Sequence, residues 1–394
     1  MSSSNTVLIL GNHRNALSVT RKLGENHRVA LGGLDGVGRV ERSRHVAETW
    51  ALPDARSPLF PDALESLLNK LPELPVLFPI GDVELFALLR VPSVLEGRIR
   101  SAMPAPDVVE KCLDKTVNLT LADKLQIPQA DYRHVQQLSE IPDAVRAVGC
   151  PCIIKSDHQL SLAFGKKAYR VEGPGDLPAF NHEAEPEHGL IVQAAATGLR
   201  HNVYFAAENG RLVGAIEARV LRTTNFDGSG FTVESESVPL SDALLRPTEK
   251  LIEALDYHGI GNTQFLVDPH SNDTSFLEIS PRLGAAFAVT IPCGFDFAGA
   301  ALALALGESV NPDFLPGEYP VGRRLAWSFG DLQGLVLAAR RGEVGAAEMG
   351  GWFYRIVRAA IRADIHTTWA WRDPLPTLAI AANALSKLVR RPAH

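Results

Sequence analysis

Cysteine is scarce in this chain: four in 394 residues, Cys112, Cys150, Cys152 and Cys293. Cys150-Pro151-Cys152 has one intervening residue where metal and redox motifs have two, and no second Cys or His pair completes a site. The thiols therefore read as ordinary buried side chains in a reducing, cytoplasmic setting. No apolar run approaches the roughly 18 residues that span a membrane, and Met1 to Asn5 lack the basic-then-apolar pattern of a secretory signal. A formal charge of −6 offers no basic footprint, so neither nucleic acid nor membrane is an expected partner. Gly11 follows the first strand-like run alone, without the G-x-G-x-x-G fingerprint, which argues against an NAD-linked enzyme. There is no serine or cysteine triad pattern, internal repeat or low-complexity tract.

What remains is a globular composition, 46% hydrophobic and 21% charged, long enough for two or three packed units at about 150 residues each. Val7-Leu8-Ile9-Leu10 reads as a buried parallel strand, Asn15 to Leu23 as a helix stopped by Gly24, and Val29 to Gly33 as a second strand. Leu64 to Leu71 reads as a helix and Val76 to Ile80 as a strand, so the alternation predicts an open α/β sheet. Met103-Pro104-Ala105-Pro106 marks a boundary, followed by one amphipathic helix over Val108 to Leu125. Strands follow at Pro151 to Lys155, Leu190 to Gln193, Val203 to Phe205 and Leu212 to Ile216. Thr263 to Val267 and Phe276 to Ile279 form a hairpin around the polar turn 268–275. Cys293 to Leu306 is an Ala-rich helix; the remainder is helical with strand patches and ends in a basic helix from Leu375 to Arg391.

Polar groups at the ends of apolar strands mark binding sites in α/β proteins. Lys155 ends its strand, while Gln264 and Glu278 lie inside theirs and share a face if the two strands pair. With Arg282 beyond them they form either a site for Mg²⁺ and nucleotide phosphates or a solvent-facing polar row.

The order of these pieces resembles the ATP-grasp superfamily from about Lys111 to Glu308. Asp114-Lys115 with Leu125 to Pro128 is similar to the opening "DK…lGIP" helix, and Pro151 to Lys155 to the "P-x-V-x-K-P" strand. Leu190 to Gly198 resembles the hinge "iiQEyipG", and Gly259 to Phe265 the "GxxxvEf" strand. Glu278 to Arg282 resembles "E-I-N-P-R", and Cys293 to Asp296 the "GvD" helix start. The resemblance implies an α/β and α+β chain. A Rossmann-like pre-ATP-grasp domain occupies 1–106, with Phe78 to Asp82 similar to its "P-x-x-D" strand end. A two-lobed ATP-grasp domain follows at 107–314 (small lobe about 115–195, large lobe about 196–314), then a helical extension at 315–394. The tail, including Ala326 to Leu332 and Trp371 to Pro376, is similar to stand-alone proteins related to carbamoyl-phosphate synthase.

The same resemblance implies ATP as cofactor with Mg²⁺, or Mn²⁺ in its place, and small-molecule carboxylate and amine substrates. Lys115 and Lys155 serve the phosphates, and the hinge at Gln193, Ala194 and Ala196 reads adenine. His201 contacts the nucleotide, Gln264, Glu278 and Ser280 hold metal, and Arg282 steadies an acyl phosphate. Gln264 stands where the family has its first metal carboxylate and Ser280 where it has asparagine. The phosphate-covering loop 156–166 has one glycine, for which Lys166 or Lys167 compensates. Arg200, Arg219 and Arg222 are candidates for phosphate or substrate carboxylate, the alternative being a solvated sheet face. The loop 225–230 reads as a lid or a plain surface loop, and Trp369 and Trp371 as packing anchors. Two functions follow: a carboxylate–amine ligase, or a degenerate nucleotide-binding regulatory or scaffold protein. A homodimer is the default assembly.

Overall fold

The computed structural model describes residues 4–101, 103–177, 188–225, 228–310 and 316–389. The centre of the proposed lid (226–227), the boundary at 314/315, and Arg390 and Arg391 of the basic tail lie outside them, as do the side chains of 385–389.

Strand β1 (Thr6–Leu10) is apolar on both faces and buried on both, as the middle of a parallel sheet requires. It lies between β2 (Arg28–Gly32) and β4 (Val76–Pro79), flanked by β3 (Val46–Trp50) and β5 (Arg100–Ser101), all parallel. Helices α1 (Arg14–Leu23), α2 (Phe60–Leu68), α3 (Asp82–Leu89) and the short α4 (Pro92–Leu95) make the connections. The predicted α/β sheet is present, with α2 starting four residues earlier than its apolar spacing suggests because Pro61 occupies a helix-opening position.

The helix expected over 108–125 is two. Helix α5 (Pro106–Leu113) stops at Asp114, whose φ of −94° and ψ of 112° are extended. The Asp114 carboxylate accepts from the Val117 amide at 2.9 Å and so caps α6 (Lys115–Lys124). The break frees the Lys115 amide to donate to the Asp157 carbonyl at 2.7 Å.

A four-stranded antiparallel sheet follows, built from β6 (Tyr132–Val135), β7 (Cys152–Ser156), β8 (Tyr169–Val171) and β9 (Leu190–Ala194), in the order β6-β9-β7-β8. Cys152, Ile154 and Val192 pack on α7 (Ile141–Val148), which leaves the alternate residues Ile153, Lys155 and Gln193 on the other face. Three thiols are buried, as expected; Cys150 is exposed.

The largest sheet holds β10 (Leu199–Glu208), β11 (Arg211–Thr223), β12 (Thr232–Ser237), β13 (Gly259–Val267) and β14 (Thr274–Ser280). The hairpin read from the sequence is β13–β14, with Gln264 opposite Glu278. One face packs Val203, Phe205, Phe265 and Phe276 under α8 (Asp242–Ala254). The other packs Tyr204, Ala206 and Ile216 against α9 (Phe297–Leu306) in a core continuous with Val7, Ile9 and Val29 of the first sheet. The Ala-rich helix thus begins at Phe297, not Cys293: Gly294 has φ +96°, and Asp296 caps α9 by accepting from the Gly299 amide at 2.9 Å.

The C-terminal part extends this sheet with β15 (Arg324–Ala326) and β16 (Ile365–His366). Helices α10 (Ser328–Arg340) and α11 (Ala346–Arg362) lie between them, and α12 (Leu375–Val389) follows. Trp371 is 85% exposed, so it is not a packing anchor. Among the described residues no single helix is long and apolar enough to cross a membrane; α9 is apolar all round because it is buried all round.

Candidate functional site

Three cations converge from separate elements. Lys115, only 7% exposed, donates from Nζ to the carbonyls of Ser156 at 3.1 Å and His158 at 3.4 Å. Lys155 Nζ donates to Gln193 Oε1 at 2.8 Å across β7 and β9. Burial and the neighbouring Lys115 charge push the Lys155 pKa down to about 8, with Glu278 opposing. Burial likewise lowers the Lys115 pKa, again opposed by Glu278. Burial also lowers that of Arg200. Each of the three feels the Glu278 carboxylate, so charges from α6, β7 and β10 gather beside the β13–β14 hairpin.

On that hairpin Gln264 Nε2 donates to Glu278 Oε1 at 2.7 Å, leaving the Gln264 amide oxygen as the free ligand atom. Ser280 pairs with Asn262 two residues along and is buried. Asn262 Oδ1 is a buried acceptor with no partner, on the same face as Gln264 and Glu278. Its orphan oxygen was not singled out in the sequence, since only the register brings it beside the carboxylate. The donor set is all oxygen with one charge. That fits a hard cation bound chiefly by nucleotide phosphates and water, as Mg²⁺ prefers, and not an all-protein cage. Among the described residues no three His, Cys, Asp or Glu side chains could hold a metal by themselves.

Arg282 is held by the N-terminal sheet. Its Nε and Nη2 donate to Asp82 Oδ1 and Oδ2 at 2.6 and 2.5 Å, a bidentate fork. Burial alone would raise the Asp82 pKa, but Arg282 holds it below the ordinary carboxylate value. Burial would lower the Arg282 pKa, yet Asp82 lifts it instead. Nearby, His13 Nε2 lies 3.0 Å from Glu84 Oε1, packed over Gly11, whose φ of +103° and missing Cβ permit the approach.

Strand alternation separates the remaining candidates. Arg200, Asn202, Gln264 and Glu278 share one face, whereas His201 and Arg219 point to the other, the face under α8. There His201 Nδ1 meets the buried Glu217 Oε1 at 2.6 Å, and Arg219 pairs with Glu236 at 2.5 Å. Arg222 sits past a bulge in β11, between Glu234 and Asp331, both at 2.6 Å. The expectation that His201 contacts nucleotide and that Arg219 and Arg222 bind phosphate or a substrate carboxylate is therefore corrected: each is partnered by a carboxylate of the protein, away from Glu278. Lys166 is exposed, over the Tyr169 ring at 5.2 Å, in a tight turn closed on Ala163. Of the two loop lysines it is Lys167 whose charge reaches Lys115 and Asp82. At the hinge, Gln193 is buried and accepts from Lys155, and the Ala194 amide donates to the Asp131 carbonyl at 2.8 Å. The Ala196 amide has no backbone partner among the described residues.

Residues 239–312 match the family model described as the carbamoyl-phosphate synthase L chain, ATP binding domain. A mitochondrial carbamoyl-phosphate synthase (ammonia) of Aquarana catesbeiana is 24% identical over 237 residues, 58% of this chain and 15% of that relative. The chain thus spans a small fraction of the curated relatives it matches. An ADP-bound N5-carboxyaminoimidazole synthetase from Staphylococcus aureus superposes with a TM-score of 0.64 at 12% identity, over 82% of each chain. An L-amino acid ligase from Bacillus licheniformis gives 0.63 at 13%, over 82% of this chain and 79% of its own. By fold the chain is an ATP-grasp protein. Within that fold, residues 239–312 are similar to the ATP-binding domain of the carbamoyl-phosphate synthase L chain.

Proposed function

We propose that this chain is an ATP-dependent ligase that activates a small-molecule carboxylate as an acyl phosphate and joins it to an amine. The carrying observation is that Lys115, Lys155 and Arg200, from three separate elements, share the Glu278 carboxylate as an electrostatic partner beside the β13–β14 hairpin. A triphosphate needs fixed cations on one side and a metal-bearing carboxylate on the other, because phosphoryl transfer depends on positioning and charge neutralisation. Lys115 and Lys155 bind and orient the phosphates, while the hinge from Gln193 to Ala196 lies at the adenine end. Arg282, oriented by Asp82, faces the reacting carboxylate. Glu278, the Gln264 amide oxygen and the Asn262 and Ser280 oxygens would hold Mg²⁺, which when bound supplies charge neutralisation to the phosphates. The relatives' printed activities, carbamoyl-phosphate synthesis and amino-acid ligation, support the same reaction class. In this reading 1–106, 107–314 and 315–394 are the pre-ATP-grasp, ATP-grasp and extension units, in a cytoplasmic enzyme.

A second reading, a nucleotide-binding protein without turnover, is favoured by one specific observation: Gln264 and Ser280 leave a single carboxylate at the metal position. ADP release with Mg²⁺ over a panel of amino acids, dipeptides and short-chain acids paired with amines separates the two. The ligase reading requires ADP and phosphate, with Glu278→Ala folded but at least about 100-fold slower. Tight ATP binding with no turnover across the panel overturns it in favour of the second.

A further inference from the structure

Arg14 opens α1 directly after β1, at the carboxyl end of the parallel strands where α/β proteins bind ligands. Its guanidinium carbon lies 3.7 Å from the centroid of the Trp327 ring and 4.5 Å from that of Phe231. The neighbouring carboxylates do not pair with it: Asp82 gives both oxygens to Arg282, and Glu84 meets His13 through Oε1 while its Oε2 stays buried without a partner. Arg14 itself makes no ion pair or hydrogen bond among the described residues. Burial and the adjacent Arg282 lower its pKa to about 10, so at neutral pH the charge is present, partly desolvated and uncompensated. Cation–π contacts with two rings offset part of that cost but satisfy none of the N–H donors. Trp327 Nε1, on one of those rings, is a buried donor with no partner. The ring contacts restrain the guanidinium without using its N–H donors, which can read a planar or tetrahedral oxyanion through two hydrogen bonds.

We infer that Arg14, held between Trp327 and Phe231, anchors a free oxyanion group, carboxylate or phosphate, that one small-molecule substrate carries in addition to its reacting group. The inference names a substrate class for the ligase proposed above and rests on that reading. It excludes substrates whose only anionic group is the one consumed in the reaction. Arg282, whose Nε and Nη2 are taken by Asp82, keeps Nη1 for the reacting carboxylate.

The test is calorimetric titration of the full-length protein with succinate, inorganic phosphate and neutral succinamide. Each is run alone and with a saturating non-hydrolysable ATP analogue and Mg²⁺, which blocks the phosphate-binding lysines. Wild type should bind one of the two anions saturably and not succinamide; which anion binds decides between a carboxylate and a phosphate. Arg14→Gln should weaken that binding at least about tenfold, the loss expected for a charge-assisted hydrogen-bonded pair, with the affinity for the ATP analogue unchanged. Where Arg14→Gln is too unstable to purify, Arg14→Lys carries the test, since it keeps the charge and loses the planar fork; it too should bind the anion more weakly. No saturable anion binding to wild type, equal binding of succinamide, or equal affinity in the variant overturns the assignment. Failure of the ATP analogue to bind these same samples overturns the ligase reading instead, and the dependence of anion binding on Arg14 is then read from the titrations run alone.

Discussion

At the scale of single residues, Lys155 carries the most specific consequence. A lysine that titrates near 10.5 in water titrates at about 8 here, because burial and the Lys115 charge disfavour the ammonium. The sign follows from which state holds the proton. Between about pH 8 and 10.5 the unfolded chain keeps a proton that the folded chain has lost, so the free protein gains stability as pH rises through that window. Nucleotide binding runs the other way, since it needs the ammonium. ATP affinity should be flat below about pH 8 and weaken toward tenfold per unit above it, with proton uptake on binding near pH 8. Calorimetry in buffers of different ionisation enthalpy measures the uptake, and Lys155→Arg, charged throughout, should abolish it. Retention of the full pH dependence in Lys155→Arg would remove Lys155 from the phosphate site.

At the scale of elements, period-two and period-3.6 patterning located β1, β2, β4, α1 and the β13–β14 hairpin, because each is buried on defined faces that the sequence must encode. Patterning failed where a local polar group overrode it. Asp114 caps α6 in the middle of a continuous apolar stripe, and no periodicity announces that break. The site was half legible for a related reason. Lys155, Gln264 and Glu278 stand out against apolar strands, but whether His201 or Arg200 faces them depends on register, and one residue reverses the face. Arg219 and Arg222 looked available because their partners, Glu236, Glu234 and Asp331, come from other strands and from α10. Arg222 ties β11 and β12 to that helix, with the Trp352 indole N–H of α11 donating to Asp331 at 2.6 Å. Arg222→Ala would leave the buried Asp331 without its cation and should cost about 3 kcal/mol of stability by denaturant unfolding. The Michaelis constant for ATP should be unchanged. A shift in that constant with unaltered stability would return Arg222 to the active site.

At the scale of the whole molecule, the N-terminal sheet and the large sheet are joined by one continuous core through α9 and by the Arg282–Asp82 fork. The small sheet has a core of its own under α7 and meets them through Lys115, Lys155 and the loop after β7. This arrangement brings cations from three elements and the Glu278 carboxylate to one place, the property on which the ligase proposal depends. In that chemistry a carboxylate oxygen attacks the γ-phosphorus and ADP leaves. The amine then attacks the carbonyl carbon, and phosphate departs with the original carboxylate oxygen. The measurement that tests this most directly is a turnover with the acid labelled with ¹⁸O in its carboxylate, followed by mass analysis of the released phosphate. The account predicts one ¹⁸O in each phosphate formed. Unlabelled phosphate, or AMP and pyrophosphate in place of ADP, would contradict it.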